Sequence, residues 1–332
     1  MSSNWFIRNW FLIGLFLSVL LAWIVPQGGA TGGWLPTEWM TRIGVVGIFF
    51  FQGVTLVSEQ ALKGLVRWRL HLLIQVYIFL VTPLLAIAFS AIASRTLTSD
   101  IAIGFVFLGA LPTTISSALV FTTLARGNVT LALFNTTLSN VVGVILTPLW
   151  ISIFVRAQGE VLALGSVFLE IALLIVLPMV VGQVMRPRLH RWADANKELF
   201  SVLSRYIVLF IVYTSFCNSV VSGFWSELGL AVSLGSLILV TVYFGAVTLL
   251  VFIGIRGARL APADASAVMF CASQKTLSAG VPIAKIVFAS NPAVGLILLP
   301  VMLYHPVQLL VGGFMVEWYK KRSNTNEKER QD

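Results

Sequence analysis

Leu111-Pro-Thr-Thr-Ile-Ser-Ser-Ala118 and Cys271-Ala-Ser-Gln-Lys-Thr-Leu-Ser-Ala-Gly-Val-Pro282 decide how this chain reads. Each stretch is polar and carries Pro or Gly, yet each lies inside a run apolar enough to cross a bilayer. Hydrocarbon offers no hydrogen-bond partners, so such residues persist at membrane depth only where they line a cavity or hold something. The two stretches also align, Thr114-Ile-Ser-Ser-Ala118 on Thr276-Leu-Ser-Ala-Gly280, at an offset of 162 residues in a chain of 332. Interrupted helices at corresponding places in two halves are the best sequence pointer to a substrate site in secondary transporters.

Composition agrees with the membrane reading. Hydrophobic residues make up 58% and charged residues 11%, against about 25% charged in soluble domains, which excludes a soluble globular protein. A spanning helix needs about 20 apolar residues. Ten runs are candidates: 9–25, 43–58, 70–93, 101–125, 129–154, 161–185, 201–222, 228–255, 263–290 and 293–316, the second of them short. The stretch 26–41 reads as a loop and 317–332 as a charged cytoplasmic tail. The apolar run after Arg8 exceeds the roughly 7–15 residues of a signal-peptide core, and nine further runs follow, so it reads as an uncleaved first helix.

The net charge of +9 reflects topology rather than nucleic-acid affinity. With both termini cytoplasmic, seventeen of the 22 Lys and Arg flank cytoplasmic span ends. Arg42, Arg95 and Arg156 flank the other side, and Lys275 and Lys285 lie within a span. That bias follows the positive-inside rule for ten spans in a cytoplasmic (inner) membrane and adds a minor attraction to anionic lipid heads. Cys217 and Cys271 both fall in spans and read as packing residues, with no disulfide framework or metal cluster.

Residues 1–157 hold five runs and 158–316 the other five, with the polar breaks on the fourth and ninth. An odd number of spans per half forces the halves into opposite orientations. The expected fold is therefore an all-α polytopic membrane protein of ten transmembrane helices in two inverted five-helix repeats. Interrupted helices 4 and 9 would cross near the midplane around one cavity. Pro112 removes a backbone donor and disfavours helix at the residue before it. Gly280 and Pro282 read as doing the same on the ninth span.

Polar groups at depth mark candidates. From Thr113 to Thr123 there are six hydroxyls, Thr113, Thr114, Ser116, Ser117, Thr122 and Thr123. They can re-satisfy a broken backbone or coordinate a cation stripped of water. On the fifth span, Asn135 and Ser139 share one face and Thr136 and Asn140 another, suited either to interhelical bonding or to ion contact. Asn128 is placed to cap that helix after the Arg126-Gly127 turn. Lys275 is the sharpest residue, because an ammonium at the bilayer centre costs about 2.5–3.5 kcal/mol on insertion scales. It needs a carboxylate, a ring of backbone carbonyls, an anionic substrate, or loss of its proton. Glu170, the one acidic residue deep in a span, is the natural carboxylate. His305 reads as bonded to a neighbouring helix, and His71 and His190 receive no role. No paired His, acidic metal-ligand pair, Gly-x-Ser-x-Gly or Walker loop is present, so no enzyme chemistry is implied.

With these residues in hand, the chain resembles the bile acid:sodium symporter superfamily, and most closely its SBF-like bacterial branch. Phe49-Phe-Phe-Gln-Gly-Val54, Trp68-Arg-Leu-His-Leu72, Leu111 to Ala118, Ala125-Arg-Gly-Asn-Val129, Phe270 to Pro282 and Tyr304-His-Pro306 carry the resemblance over essentially the whole chain. It implies a panel of spans 1, 2, 6 and 7 facing a core of spans 3–5 and 8–10. It also implies two sodium ions behind the crossing and an organic anion between core and panel. Transferred position by position, the match is partial. The fourth-span Ser-Asn falls on Ser117-Ala118, keeping only the Ser. A fifth-span Thr falls on Thr136, its companion Ser on Ala132. The ninth-span Glu-x-x-x-Gln falls on Phe270 and Gln274, so the carboxylate is lost while Lys275 follows the retained Gln.

The resemblance implies ion-binding roles for Thr114, Ser117, Thr136, Gln274 and Thr276. Substrate or coupling roles are expected for Thr113, Ser116, Asn135, Lys275, Ser278 and Glu170. The Lys275 ammonium would take one cation position, reducing the sodium count or substituting protons. The expected activity is secondary active, sodium-coupled symport of a small organic anion by alternating access, with no cofactor beyond a bound sodium ion. The rivals are a proton-coupled or uncoupled carrier using Lys275 or Glu170, and a non-transporting regulatory or scaffold protein of the membrane. Nothing in the sequence sets an oligomeric state.

Overall fold

Long apolar runs satisfy their backbone groups internally only as helices when no water is at hand, and helix is what they form. The computed structural model describes residues 3–55, 67–157, 169–221, 230–289 and 291–328. In chain order the helices are α1 (Ser3–Ile24), α2 (Pro26–Gly29), α3 (Thr37–Thr55), α4 (Trp68–Thr96), α5 (Ser99–Ala110), α6 (Ile115–Leu124) and α7 (Val129–Ala157). There follow α8 (Leu169–Ala195), α9 (Lys197–Val221), α10 (Leu230–Gly257), α11 (Pro262–Ser273), α12 (Leu277–Val287) and α13 (Val294–Lys328). Among the described residues there is no strand.

Among the described residues, six helices are long and apolar enough to cross a membrane: α4, α7, α8, α9, α10 and α13. The pair α5 and α6, bent by 56° at the Pro112 break, is long and apolar enough when taken together. Several sequence expectations shift. The loop expected at 26–41 contains α2, begun by Pro26 at a helix N-terminus where its missing N–H costs nothing, and α3 already starts at Thr37. The tail expected from 317 continues α13 as far as Lys328, since Glu and Lys are good helix formers. Of the expected spans, 56–58, 161–168, 222, 228–229 and 290 lie outside the described residues, as do Lys63, the boundary residue 158 and the tail residues 329–332.

The chain divides into two compact units, one of 1–56, 158–233 and 278–299, the other of 57–157, 234–277 and 300–332. In the first unit α3 packs along α8, and α9 packs against α1, α2 and α3. Gly53 and Gly182 make the α3–α8 approach possible: a Cβ on either would strike the other helix's backbone, at Met179 and Phe50 respectively.

In the second unit α5 packs on α4 and α7, and α11 packs against α4, α6 and α7. Helix starts here are tied to one another. Thr98 Oγ1 caps α5 through the Ile101 N–H at 3.2 Å. Asn128 caps α7 through the Leu131 N–H at 3.0 Å, as its position after the turn suggests. The Asn128 backbone N–H also donates to the Ala263 carbonyl (2.8 Å), and its side chain donates to Asp264 (2.8 Å), which pairs in turn with Arg67 before α4. Arg126 turns the chain at φ +56° between α6 and α7.

Helix α4 holds a π-turn at Tyr77–Val81, where the Thr82 N–H reaches back to the Tyr77 carbonyl. That turns the Thr82 N–H away from Ile78, and Pro83 has no N–H to offer Phe79. Trp150 Nε1 donates to the Phe79 carbonyl at 2.8 Å. The Ile78 carbonyl is used at the site.

Candidate functional site

A helix end leaves carbonyls without intrahelical donors, and inside hydrocarbon each needs a replacement. At the α5–α6 break every carbonyl from Gly109 to Thr113 has one. Gly109 accepts from Lys275 Nζ (2.8 Å) and Thr82 Oγ1 (2.9 Å), and Ala110 accepts from Thr147 Oγ1 (2.8 Å). Leu111 accepts from Lys275 Nζ (2.8 Å), Pro112 from the Thr276 N–H (3.0 Å), and Thr113 from Asn140 Nδ2 (2.9 Å). The Pro112 ring itself packs on Gly143 of α7, where any Cβ would sit about 2.8 Å from it.

The α11–α12 break spans Gln274 to Thr276. The Tyr304 hydroxyl donates to the Ser273 carbonyl at 2.6 Å. Gln308 Oε1 accepts the Lys275 N–H at 2.8 Å, and its Nε2 donates to the Lys275 carbonyl at 3.0 Å. The bond from Thr276 to Pro112 joins this break directly to the other one. Gly280 and Pro282, expected to make the interruption, lie inside α12 instead. Side chains of α13 end α11 early, a tertiary cause that local residue types do not display.

Lys275 reaches back from its break into the α4–α5 contact and is 2% exposed. Its Nζ meets four oxygens: the Ile78 carbonyl (3.1 Å), which the π-turn takes from the Thr82 N–H and which also lies 2.7 Å from the Thr82 hydroxyl, Thr82 Oγ1 itself (2.8 Å), and the Gly109 and Leu111 carbonyls. Three N–H groups serve four acceptors, so one proton is shared. Three carbonyls and a hydroxyl in place of water form the kind of shell that holds a dehydrated monovalent cation. Hydrogen bonds to a charged group contribute about 1.5–3 kcal/mol each, enough for the three donors of an ammonium to offset its insertion cost. Tyr243 steadies the cage by donating to the Thr82 carbonyl at 2.9 Å.

Lys275 and Glu170, expected as a pair, each have partners within their own unit. Glu170 accepts from Arg42 at 3.1 Å within the first unit. Both line a cavity of about 180 Å³ there with Glu38, Thr41 and Lys285. Carbonyls at the π-turn and at the α5–α6 break surround the Lys275 Nζ where a carboxylate was expected.

Other candidates separate by burial and by partner. Thr113 is fully buried and its Oγ1 has no partner among the described residues. Gln274 accepts at Oε1 from Ser117 Oγ, while its buried Nε2 is likewise unpartnered. Thr114 and Thr276 are buried at their breaks, and Ser116 and Ser278 are exposed. Thr136 Oγ1 donates back to Leu133 at 3.0 Å. Asn135 faces away toward α4, meeting His71 Nδ1 at 2.9 Å and Gln75 Nε2 at 3.2 Å, so His71 has the partner that its sequence position left unassigned. His305 meets Gln308 on its own helix at 3.0 Å. Thr82 carries site contacts that sequence reading passed over, and Gln308, which reads in the sequence as a packing polar group, carries contacts to the Lys275 backbone. The Thr82-Pro83 pair mid-span was the available signal for the first.

Residues 9–321 match the model of the SBF-like CPA transporter family. An uncharacterized protein of Pseudomonas aeruginosa is 35% identical over 322 residues, covering 97% of this chain and 96% of that one. Sodium/bile acid cotransporter 7 of Rattus norvegicus is 32% identical over 321 residues, covering 94% and 93%. YfeH of Escherichia coli, which carries the name symporter, is 31% identical over 315 residues, again covering 94% and 93%. A multi-pass helical protein with joined helix breaks, alike over its full length to proteins of this kind, is a membrane transporter and not an enzyme; the chain belongs to the SBF-like CPA transporter family, within the bile acid:sodium symporter superfamily.

Proposed function

We propose that this transporter is a secondary active carrier that moves a small organic anion together with a cation, by alternating access. The observation that carries the reading is the oxygen cage around Lys275 at the joined breaks. The names of the sodium/bile acid cotransporter and of the symporter supply the expectation of a solute and a coupling ion. Ten spans in two inverted repeats, 1–157 and 158–316, remain the topology proposed, with both termini at the cytoplasmic side of the inner membrane. The grouping of α1, α3, α8 and α9 in one unit and of α4 to α7 and α11 in the other supports a panel and a core, although α12 and the start of α13, from the expected core spans 9 and 10, group with the first unit.

In this proposal Lys275 occupies one cation position permanently. The relatives' two-sodium arrangement, implied by the resemblance, is reduced to one mobile ion, taken by hydroxyls and amides near Thr113, Ser117 and Gln274. Thr114, Thr136 and Thr276 contribute backbone and hydroxyl oxygens nearby. Ser116 and Ser278, each exposed at a helix start, in α6 and α12 respectively, keep their proposed substrate roles. Positive half-helix ends attract its carboxylate.

Uptake of labelled organic anions into proteoliposomes tests this, with sodium and pH gradients imposed separately. One sodium per cycle is expected. Two sodium ions per cycle in the unaltered protein overturn the Lys275 assignment. Uptake driven by a pH gradient and indifferent to sodium identifies the proton-coupled carrier instead.

A further inference from the structure

The second unit carries a cleft that the transport site does not use. Thr248, Leu249 and Phe252 of α10, Met269 of α11, and Met315 and Trp318 of α13 line an apolar cavity of about 450 Å³. A second cavity of about 370 Å³ shares Phe252 and Tyr319 with it and is lined by Arg256, Arg259 and Pro262. The two meet along those shared rings, greasy at one end and doubly cationic at the other. The Arg256 guanidinium lies 4.9 Å from the centre of the Phe252 ring, at the junction. Neither arginine has an ion pair among the described residues. Trp318 and Tyr319, followed by Lys320 and Lys321, mark where α13 leaves hydrocarbon, since Trp and Tyr gather at the head-group level. Both Trp318 and Leu249 are exposed at the open side.

We infer that this cleft is a binding site for an anionic phospholipid, with an acyl chain along Leu249, Met269 and Trp318 and the phosphate between Arg256 and Arg259. The chemistry is complementary at both ends. An apolar slot open to the bilayer takes a chain, and a basic pocket between spanning helices selects an anionic head group. A zwitterionic lipid fills the slot without satisfying the two guanidiniums, and a free phosphate satisfies them without filling the slot. This inference is independent of what is transported, because it concerns a lateral face and not the joined breaks.

Trp318 makes the test direct. The purified full-length protein in mixed micelles is titrated with phosphatidylglycerol or phosphatidylcholine whose acyl chains carry bromine. Trp318→Phe isolates the fluorescence of that residue. Brominated phosphatidylglycerol is expected to quench it at about ten-fold lower mole fraction than brominated phosphatidylcholine. The double variant Arg256→Gln/Arg259→Gln is expected to remove the preference, and Arg256→Lys/Arg259→Lys to retain most of it. Equal quenching by the two lipids overturns the inference, and that comparison needs no arginine variant to fold. A preference that survives the double Gln variant also overturns it, as does displacement of the lipid by inorganic phosphate alone.

Discussion

Gln308 brackets Lys275: one amide accepts the lysine's backbone N–H at 2.8 Å and donates to its carbonyl at 3.0 Å. A side chain of α13 thus plays the part of a neighbouring backbone and holds the α11–α12 break open. The ammonium of that residue is caged by the other break, so the position of the charge depends on Gln308 even though the amide never touches it.

Gln308→Leu leaves a buried N–H and carbonyl without partners, at about 1–3 kcal/mol for each. The variant is expected to melt well below the unaltered protein in detergent. Gln308→Glu keeps the acceptor but cannot donate in its ionised form, and is expected to fall between. Thermal unfolding followed by tryptophan fluorescence checks the order.

Thr82 Oγ1 is the one side-chain oxygen in the cage. Thr82→Ser is expected to retain stability and uptake. Thr82→Val, of the same shape but without the hydroxyl, removes a hydrogen bond to a charge worth about 1.5–3 kcal/mol. A Val variant as stable and active as the Ser variant would show that the hydroxyl is idle.

The Thr113 hydroxyl is buried without a partner among the described residues, so no hydrogen bond there ties it to the fold. Thr113→Val is expected to leave the melting temperature unchanged or raise it, because an unsatisfied buried hydroxyl is replaced by a methyl. Uptake is expected to fall, through a weaker KM for the ion or the anion. Unchanged uptake kinetics would remove Thr113 from the site.

Arg42 and Glu170 form a half-exposed pair within the first unit, with side chains 57% and 31% exposed. Glu170→Gln is expected to cost no more than about 1 kcal/mol, less in high salt. Combined with Lys275→Met its effect on stability is expected to add, within about 0.5 kcal/mol. A larger coupling energy, measured by a double-mutant cycle, would restore the pairing that the sequence suggested.

How much of this was legible in the sequence depends on how far away the cause lies. The first break was legible because Pro112 acts on its own neighbours, and the Asn128 cap was legible for the same reason. The second break was located but ascribed to Gly280 and Pro282, when the residues that make it are Tyr304 and Gln308, about thirty residues along the chain. Lys275 stood out because a charge in an apolar run always does. Its partners did not, since three of the four are carbonyls, present at every residue and freed here by a π-turn and a helix end. Glu170 illustrates the converse: it is the obvious counter-charge in composition, and Arg42 holds it elsewhere.

The most direct measurement is the sodium dependence of stability and uptake in Lys275→Ala compared with the unaltered protein, with choline as the control cation. Removing the ammonium leaves four oxygens with no cation among them. The account predicts that sodium, and not choline, then raises the melting temperature of the variant by several degrees more than it does for the unaltered protein, with uptake depending on one additional sodium ion. Identical sodium dependence in the two proteins would contradict the claim that Lys275 stands in a cation's place.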